Sequence, residues 1–179
     1  MKLPRTFLVS AFLLSACTLA AAQSKPPADP TMKLQGLDGK VYDLSEERGR
    51  VVLVSFGATW CTSCTAELRA LEELLQEFHD KPVKFFWVSI ERPEEVTDSK
   101  LKRYARERRV TFPVLRDTGK MVFLQFSERL RLPMIIFLGK DGKVDAPVQF
   151  GMQTSADAYK ANMRARLKRL LNRAGDLSN

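Results

Sequence analysis

Two cysteines three positions apart, Cys61 and Cys64, are the residues of this sequence best suited to chemistry. They follow a short apolar run rich in β-branched residues, Val51–Phe56, which predicts a buried strand, and they precede a pattern typical of a helix. A thiol at a helix N-terminus ionises more readily, because free backbone N–H groups and the helix dipole favour negative charge there. One helical turn separates the two residues, so the pair predicts a dithiol that opens and closes as a disulfide.

The spacing argues against a structural role for this disulfide. A bridge that closes so short a loop restricts little of the unfolded chain, whereas the stabilising bridges of exported proteins close long loops. Two cysteines are also too few for a structural zinc site. The sequence holds one histidine, His79, which we expect near a helix C-terminus at the surface. We therefore expect no metal and no organic cofactor.

Residues 1–22 have the pattern of a secretory signal peptide, in which two basic residues precede a short apolar stretch. An alternative cleavage after residues 1–16 fits the Leu-Ser-Ala-Cys order of a bacterial lipobox, and Cys17 would then be the lipidated N-terminal residue. We lean to the lipoprotein, because all four positions fit. Both alternatives predict export to the bacterial periplasm, with residues 23–31 as a flexible Pro-rich tether and residues 32–175 as one domain that is long enough for a hydrophobic core.

The net charge of +8 has its basic excess in two stretches, Lys100–Arg109 and Arg164–Arg173. We interpret both stretches as solvated faces of helices. An exported protein is not expected to bind nucleic acid. The charge is compatible with a weak attraction to anionic lipid or to an acidic partner.

Strands alternate with helices along the rest of the chain, which predicts an α/β fold with a largely parallel sheet. An Asp-Gly turn after Leu37 predicts a leading hairpin. Further on we expect a helix capped near Asp98 and a helix over Lys120–Phe126. A last helix should be capped by Thr154 or Ser155.

Several motifs occur together in this sequence. Phe56-x-Ala-Thr-Trp-Cys-x-x-Cys64 joins the predicted strand to the helix, and Phe112-Pro-Val-Leu-x-Asp117 ends an inserted segment. Leu132-Pro133 precedes a strand and a Lys-Asp-Gly-Lys turn. With these motifs the chain, from about Met32 to Arg173, resembles the exported TlpA/ResA-like thiol–disulfide oxidoreductases. The resemblance implies an α/β, thioredoxin-like fold with an N-terminal β-hairpin and a central inserted α/β segment.

The resemblance also implies a role for each residue of the site. Cys61 is the attacking cysteine, Cys64 is the resolving one, and together they form the redox-active disulfide. Pro133 is implied to follow a cis peptide bond. The backbone of Leu132 would then face the disulfide and pair with an extended substrate segment. Trp60 is expected to cover the site.

Glu67, three residues after Cys64, matches a glutamate that this family carries in its active site. The residues alone agree with that assignment. A carboxyl at the buried edge of a helix would have a raised pKa and could accept the proton of Cys64. The alternative is a solvated carboxylate in the first turns of the helix.

The resemblance implies an enzyme that reduces disulfide-containing protein substrates outside the cytoplasm and is recycled by a membrane-embedded electron donor. We expect a monomer. Three positions depart from the family pattern. Gly57 replaces a large residue, Arg69 replaces a common proline, and Thr62-Ser63 replaces the frequent pair between the cysteines. Since that pair tunes thiolate stability, it leaves the direction of electron transfer open.

Three other functions are compatible with parts of the sequence. A periplasmic Cu(I) metallochaperone of thioredoxin-like fold would use the two thiols as ligands, but such proteins usually add a histidine after the later strands of the sheet. A peroxiredoxin-like peroxidase would be expected to carry a Thr-x-x-Cys arrangement with a supporting arginine. A binding module with a vestigial cysteine pair would not need the intact Trp-Cys-x-x-Cys motif or Pro133.

Overall fold

The apolar run before the cysteines forms an interior strand of a seven-stranded sheet. The structure is a computed structural model, and it describes residues 30–152 and 155–173. The strands are β1 (Lys33–Gly36), β2 (Val41–Asp43), β3 (Val51–Gly57), β4 (Val83–Ser89), β5 (Val114–Arg116), β6 (Met134–Leu138) and β7 (Val144–Phe150). The helices are α1 (Thr62–Glu77), α2 (Asp98–Glu107) and α3 (Ala156–Asn172).

The strands lie in the order β2-β1-β5-β4-β3-β6-β7. The centre is parallel, because β3 pairs with β4 and β4 with β5 in that direction. The N-terminal hairpin of β1 and β2 extends one edge antiparallel to β5. The hairpin of β6 and β7 extends the other edge antiparallel to β3. This arrangement confirms the predicted α/β fold, with α2 and β5 as the inserted segment between β4 and β6. The expectation of a largely parallel sheet is wrong, because four of the six strand pairings are antiparallel.

The side chains of β3 alternate between two apolar layers, because successive residues of a strand point to opposite faces. Val51 and Leu53 pack in the layer that also contains the buried side chains of all three helices. Val52, Val54 and Phe56 pack in the other layer. The same alternation directs Ser55 and Gly57 toward the helices, so the C-terminal end of β3 has no large apolar side chain on that face. The cysteines lie beside this end.

Helices α1 and α3 pack on the sheet through apolar stripes spaced at three and four residues. The fully buried members of these stripes are Leu68, Leu71 and Leu74 in α1 and Tyr159, Met163 and Leu167 in α3. Leu75 and Leu171, which continue the same spacing, are only partly buried. The stripes fix α1 against the sheet and therefore fix the position of its N-terminus, where the cysteines lie.

The prediction of a helix over Lys120–Phe126 is wrong. Two short 3-10 turns, Thr118–Lys120 and Phe123–Gln125, occupy this segment. Gly119 and Lys120 have positive φ angles of 82° and 61°, which a right-handed helix cannot contain. The Asp117 carboxylate then accepts hydrogen bonds from the backbone N–H groups of Val122 and Phe123. The side chain thus takes the place of helical acceptors.

Two helix caps differ in detail from the expectation. Helix α2 is capped by Thr97, whose hydroxyl accepts from the backbone N–H of Lys100, and Asp98 is its first helical residue rather than its cap. Helix α3 is capped by Ser155, one of the two predicted residues, through the N–H of Ala158. Serine and threonine are common at these positions because their short side chains satisfy free N–H groups of the first turn.

No helix within the two described ranges is both long enough and apolar enough to cross a membrane. The predicted signal peptide of residues 1–22, the lipidation site Cys17 and nearly all of the predicted tether lie outside the described residues. The domain boundaries therefore stay a prediction.

Candidate active site

Cys61 and Cys64 form a disulfide at the N-terminus of α1. Cys61 is the N-cap residue, and its sulfur accepts a hydrogen bond from the backbone N–H of Cys64 at 3.1 Å. The Ser63 hydroxyl lies 3.4 Å from the same sulfur. Cys61 is 7% exposed, whereas Cys64 is completely buried. An external disulfide can therefore approach Cys61 but not Cys64.

The turn between β3 and α1 is held from the neighbouring strand by Glu91. Its buried carboxylate accepts hydrogen bonds from the backbone N–H of Thr59 at 2.8 Å and from the Thr59 hydroxyl at 2.6 Å. The Ser89 hydroxyl, at the end of β4, donates to the same carboxylate at 3.2 Å. The sequence does not reveal the role of Glu91, because no pattern distinguishes a buried glutamate after an apolar strand from a solvent-exposed glutamate at the same place.

An open groove with a volume of about 870 Å³ runs beside Cys61. Its lining is apolar or small and polar: Trp60, Cys61, Thr62, Ser63, Ala66, Leu130, Leu132, Met152, Ser155 and Ala156. Trp60 is 62% exposed and forms one wall of the groove. Leu132 lies in the groove lining, and its bond to Pro133 is cis, as expected from the resemblance.

Glu67 is completely buried on the helix face of the sheet. The Ser55 hydroxyl of β3 donates to one carboxyl oxygen at 2.5 Å, and the Tyr159 hydroxyl of α3 donates to the other at 2.7 Å. Burial raises the pKa of Glu67 to about 7, although the two hydroxyl donors lower it in part. The alternative of a solvated carboxylate is therefore wrong. The role of Glu67 as a proton acceptor for Cys64 stays a prediction.

Sequence reasoning missed both hydroxyl partners of Glu67. Ser55 is the one polar residue in an otherwise apolar strand, and that interruption was a usable signal. Tyr159 was placed in the apolar stripe of α3, where its ring indeed packs, but periodicity does not show where its hydroxyl points.

The departure from the family pattern at Gly57 is explained by Trp87 of β4. A Cβ atom at position 57 would lie 2.6 Å from the indole nitrogen of Trp87 and 3.3 Å from Cβ of Cys64. There is no room for a side chain at position 57, because the indole of the neighbouring strand occupies that space. Arg69, the second departure, is exposed and pairs with Glu73 on the surface of α1.

His79 lies just beyond the C-terminal end of α1, where its Nδ1 is 2.8 Å from the backbone oxygen of Gln76. At about 1.5 Å of rise per residue, the helix places it roughly 20 Å from the cysteines. Within residues 30–152 and 155–173, no three His, Cys, Asp or Glu side chains form a group that could hold a metal ion. His79 therefore does not supply the third ligand that the metallochaperone alternative requires.

Comparison with known proteins gives a consistent result. The model of the AhpC/TSA family matches residues 28–146. The sequence is similar to the thiol-disulfide oxidoreductase ResA of Bacillus thuringiensis subsp. konkukian (strain 97-27), with 29% identity over 125 residues, 70% of this chain and 69% of that protein.

Two solved structures are similar to this one. A thiol:disulfide interchange protein of the thioredoxin family from Chlorobium tepidum TLS has a TM-score of 0.66 and 20% identity, over 84% of this chain and 99% of that one. The pneumococcal exposed lipoprotein thioredoxin Etrx1 from Streptococcus pneumoniae strain TIGR4 has a TM-score of 0.62 and 28% identity, over 78% and 98%. These likenesses confirm the predicted thioredoxin-like fold.

Proposed function

This chain belongs to the AhpC/TSA family and is a thiol–disulfide oxidoreductase, and we propose that it works as an exported reductase of disulfides in protein substrates. The observation that carries the proposal is the Cys61–Cys64 disulfide at the N-terminus of α1, with only Cys61 reaching the surface. A stabilising disulfide would have no need of a groove beside one of its sulfurs.

The reaction begins with both cysteines reduced. The Cys61 thiolate attacks one sulfur of the substrate disulfide, a mixed disulfide forms, and the other substrate sulfur leaves as a thiolate. Cys64 then attacks the sulfur of Cys61, which releases the second substrate thiolate and leaves the enzyme with its own disulfide. Two electrons pass from the enzyme to the substrate, and the substrate thiolates take up protons.

Glu67 is the proposed acceptor of the Cys64 proton. A pKa of about 7 keeps a substantial share of the carboxyl ionised at neutral pH, where a general base is most effective. It lies one helical turn beyond Cys64 on α1. The donors Ser55 and Tyr159 hold both carboxyl oxygens in place, so the group does not need to reorganise during the reaction.

The groove is the proposed docking site for the substrate. An extended segment would lie against Leu132 and the cis peptide bond before Pro133, with an apolar side chain against Trp60. Exposed apolar side chains of this kind mark surfaces that bind partners. The lining residues that the structure describes carry no formal charge, so the substrate would be selected by its disulfide and its apolar residues rather than by ion pairs.

The signal-peptide pattern of residues 1–22 supports a position outside the cytoplasm, with lipidation of Cys17 as the alternative to a released protein. In an oxidising compartment the enzyme needs a supply of electrons, and a membrane-embedded donor is the proposed source. The monomeric state belongs to the same proposal.

Mass spectrometry of a Cys64→Ala variant tests the proposal. Without the resolving thiol, mixed disulfides between Cys61 and substrate proteins should accumulate, and a Cys61→Ala variant prepared in parallel should trap none. The wild-type protein should reduce the disulfides of insulin. Absence of trapped species together with absence of insulin reduction would overturn the proposal.

A peroxiredoxin-like peroxidase is the second candidate, because the matching family model is that of the AhpC/TSA family. The hydroxyl of Thr59, two residues before Cys61, donates to the carboxylate of Glu91. Consumption of hydrogen peroxide by the reduced protein, faster than its reduction of insulin, would favour the peroxidase.

A further inference from the structure

The indole of Trp87 is completely buried, yet its N–H group has no hydrogen-bond acceptor among the residues that the structure describes. Buried polar groups are nearly always paired, and a donor without a partner is unfavourable. Such a group in a native fold needs an explanation, and a redox or catalytic role is one of them. The question is which atom near the indole nitrogen becomes an acceptor when the site changes state.

The side chain of Cys64 and this N–H group flank the same small space, the one that a side chain at position 57 would occupy. The position that a Cβ of Gly57 would occupy is 2.6 Å from the indole nitrogen and 3.3 Å from Cβ of Cys64. Gly57 carries no side chain that would separate the two groups. A larger residue at position 57 would keep the indole of Trp87 away from Cys64. The small size of Gly57 and the position of the Trp87 indole therefore depend on each other.

The indole is held in this orientation from two sides. In β4, Trp87 pairs with Ser55 of β3, which places it beside the Glu67 pocket. On its outer face it stacks on Tyr104 of α2, with ring centres 5.5 Å apart and planes 17° from parallel. The Tyr104 hydroxyl in turn lies 2.8 Å from the hydroxyl of Thr65, the residue after Cys64. The N–H group is therefore fixed in place before reduction.

We propose that the Trp87 N–H group becomes a hydrogen-bond donor to the sulfur of Cys64 when the disulfide is reduced. A disulfide sulfur is a weak acceptor, whereas a thiolate is anionic and accepts charge-assisted hydrogen bonds. The donor stabilises the reduced form, and it also stabilises the nucleophile that releases the substrate. The inference rests on Cys61 and Cys64 as the redox pair of the proposed function.

The other polar groups near Cys64 are already occupied. Both carboxyl oxygens of Glu67 accept hydrogen bonds from hydroxyl groups. The backbone N–H of Cys64 itself donates to the sulfur of Cys61. Trp87 is thus the donor that reduction leaves available for the buried sulfur.

A pair of single-cysteine variants tests this directly, because neither can form the disulfide. Cys61→Ala keeps the sulfur of Cys64, and Cys64→Ala removes it. In NMR spectra of nitrogen-labelled protein under dithiothreitol, the Trp87 indole N–H proton should resonate at lower field and exchange more slowly in Cys61→Ala than in Cys64→Ala. The exposed Trp60 is the internal control, and a Trp60→Phe variant assigns the two signals. Equal Trp87 signals in the two variants would overturn the inference.

A second measurement uses the equilibrium of the wild-type disulfide with glutathione. Trp87→Phe removes the N–H group but keeps an aromatic ring against Tyr104. The equilibrium should shift about tenfold toward the oxidised enzyme, which corresponds to a potential about 30 mV more negative.

Phe85→Leu is the matched control, because it replaces another buried aromatic side chain on the same face of β4, away from the cysteines. It should leave the equilibrium unchanged. Equal shifts in both variants, or none in Trp87→Phe, would contradict the inference. Since neither experiment measures turnover, a failure here is distinct from a failure of the proposed reductase activity.

Discussion

Helix α3 contacts two buried carboxylates, Glu67 and Asp145, with donors of different charge. Near its N-terminus, the neutral hydroxyl of Tyr159 donates to Glu67 at 2.7 Å. Near its C-terminus, three guanidinium groups donate to the carboxylate of Asp145: Arg166 at 2.8 Å, Arg169 at 2.7 Å and Arg173 at 2.9 Å.

The pKa values of the two groups move in opposite directions. Burial raises the pKa of Glu67 to about 7, and its hydroxyl partners do not compensate. Burial also opposes ionisation of Asp145, but Arg169 and Arg166 outweigh it and hold the pKa of Asp145 below its ordinary value. Burial alone therefore does not decide what a carboxylate does. The charge of the partners makes the difference. Neutral hydroxyl partners leave Glu67 with a raised pKa, whereas cationic partners lower the pKa of Asp145 and join β7 to α3.

The largest effect is expected from Asp145→Ala. It leaves the buried Arg166 without its counter-charge, and breaking a buried pair in this way costs about 3 to 5 kcal/mol. Urea unfolding at neutral pH measures the loss. Activity per folded molecule should be unchanged, because Asp145 lies away from the cysteines.

Arg173→Ala is the control for the Asp145 cluster, since its side chain is 60% exposed and two other arginines remain. It should cost much less than Asp145→Ala. Equal losses in the two variants would show that Asp145 is not the centre of the cluster.

The second prediction concerns stability and pH at Glu67. A raised pKa means that the folded state holds the proton that the unfolded chain releases near its ordinary value of 4.5. The stabilisation is therefore complete below that pH and is lost as the pH rises through about 7. The loss amounts to about 3 kcal/mol.

In Glu67→Gln this loss should be absent, so the variant should be more stable than the wild type at about pH 8 and similar at about pH 4. Urea unfolding of both proteins across this range measures the difference. Parallel pH profiles would mean that Glu67 does not titrate in the folded protein.

The third prediction concerns the rate of insulin reduction. If Glu67 accepts the Cys64 proton, the rate should rise with pH as its carboxyl ionises around pH 7. Glu67→Gln should be about a hundredfold slower above that pH and should lack this rise.

Tyr159→Phe is the matched variant for the rate profile. It keeps the carboxyl but removes one donor that lowers the pKa of Glu67, so its profile should move to higher pH. A pH profile in Glu67→Gln that equals that of the wild type would exclude Glu67 as the proton acceptor.

The smallest effect is expected where a carboxylate is exposed. Glu77 of α1 accepts from Arg164 of α3 at 2.6 Å, a shorter contact than any to the carboxylate oxygens of Asp145. Solvent screens this pair, so Arg164→Ala should change stability by less than about 1 kcal/mol in urea unfolding. A loss as large as that of Asp145→Ala would show that contact distance, rather than burial, sets the strength of these pairs.

Much of this site could be predicted from local sequence. The strand–turn–helix order around Cys61 and Cys64 depends on residues that are adjacent in the sequence. The Leu132-Pro133 motif indicates a second part of the groove wall. For Glu67 the sequence leaves a buried and a solvated carboxylate open, and the structure decides for burial.

The partners of these residues could not be predicted, because they lie far away along the chain. The hydroxyl of Tyr159 comes from 92 residues after Glu67, and periodicity shows which face a residue occupies but not what its polar atom contacts. The sequence after Asp117 predicts a helix over Lys120–Phe126 that the structure does not contain. Positive φ angles at Gly119 and Lys120 decide against it, and they are not visible in an apolar pattern.

The reduction potential of the Cys61–Cys64 pair tests the central claim most directly. It is measured by equilibrating the wild-type protein with dithiothreitol or glutathione buffers and counting free thiols. A reductase should have a potential near or below that of thioredoxin, about −270 mV. A value near about −120 mV, typical of a disulfide-forming oxidant, would contradict the account.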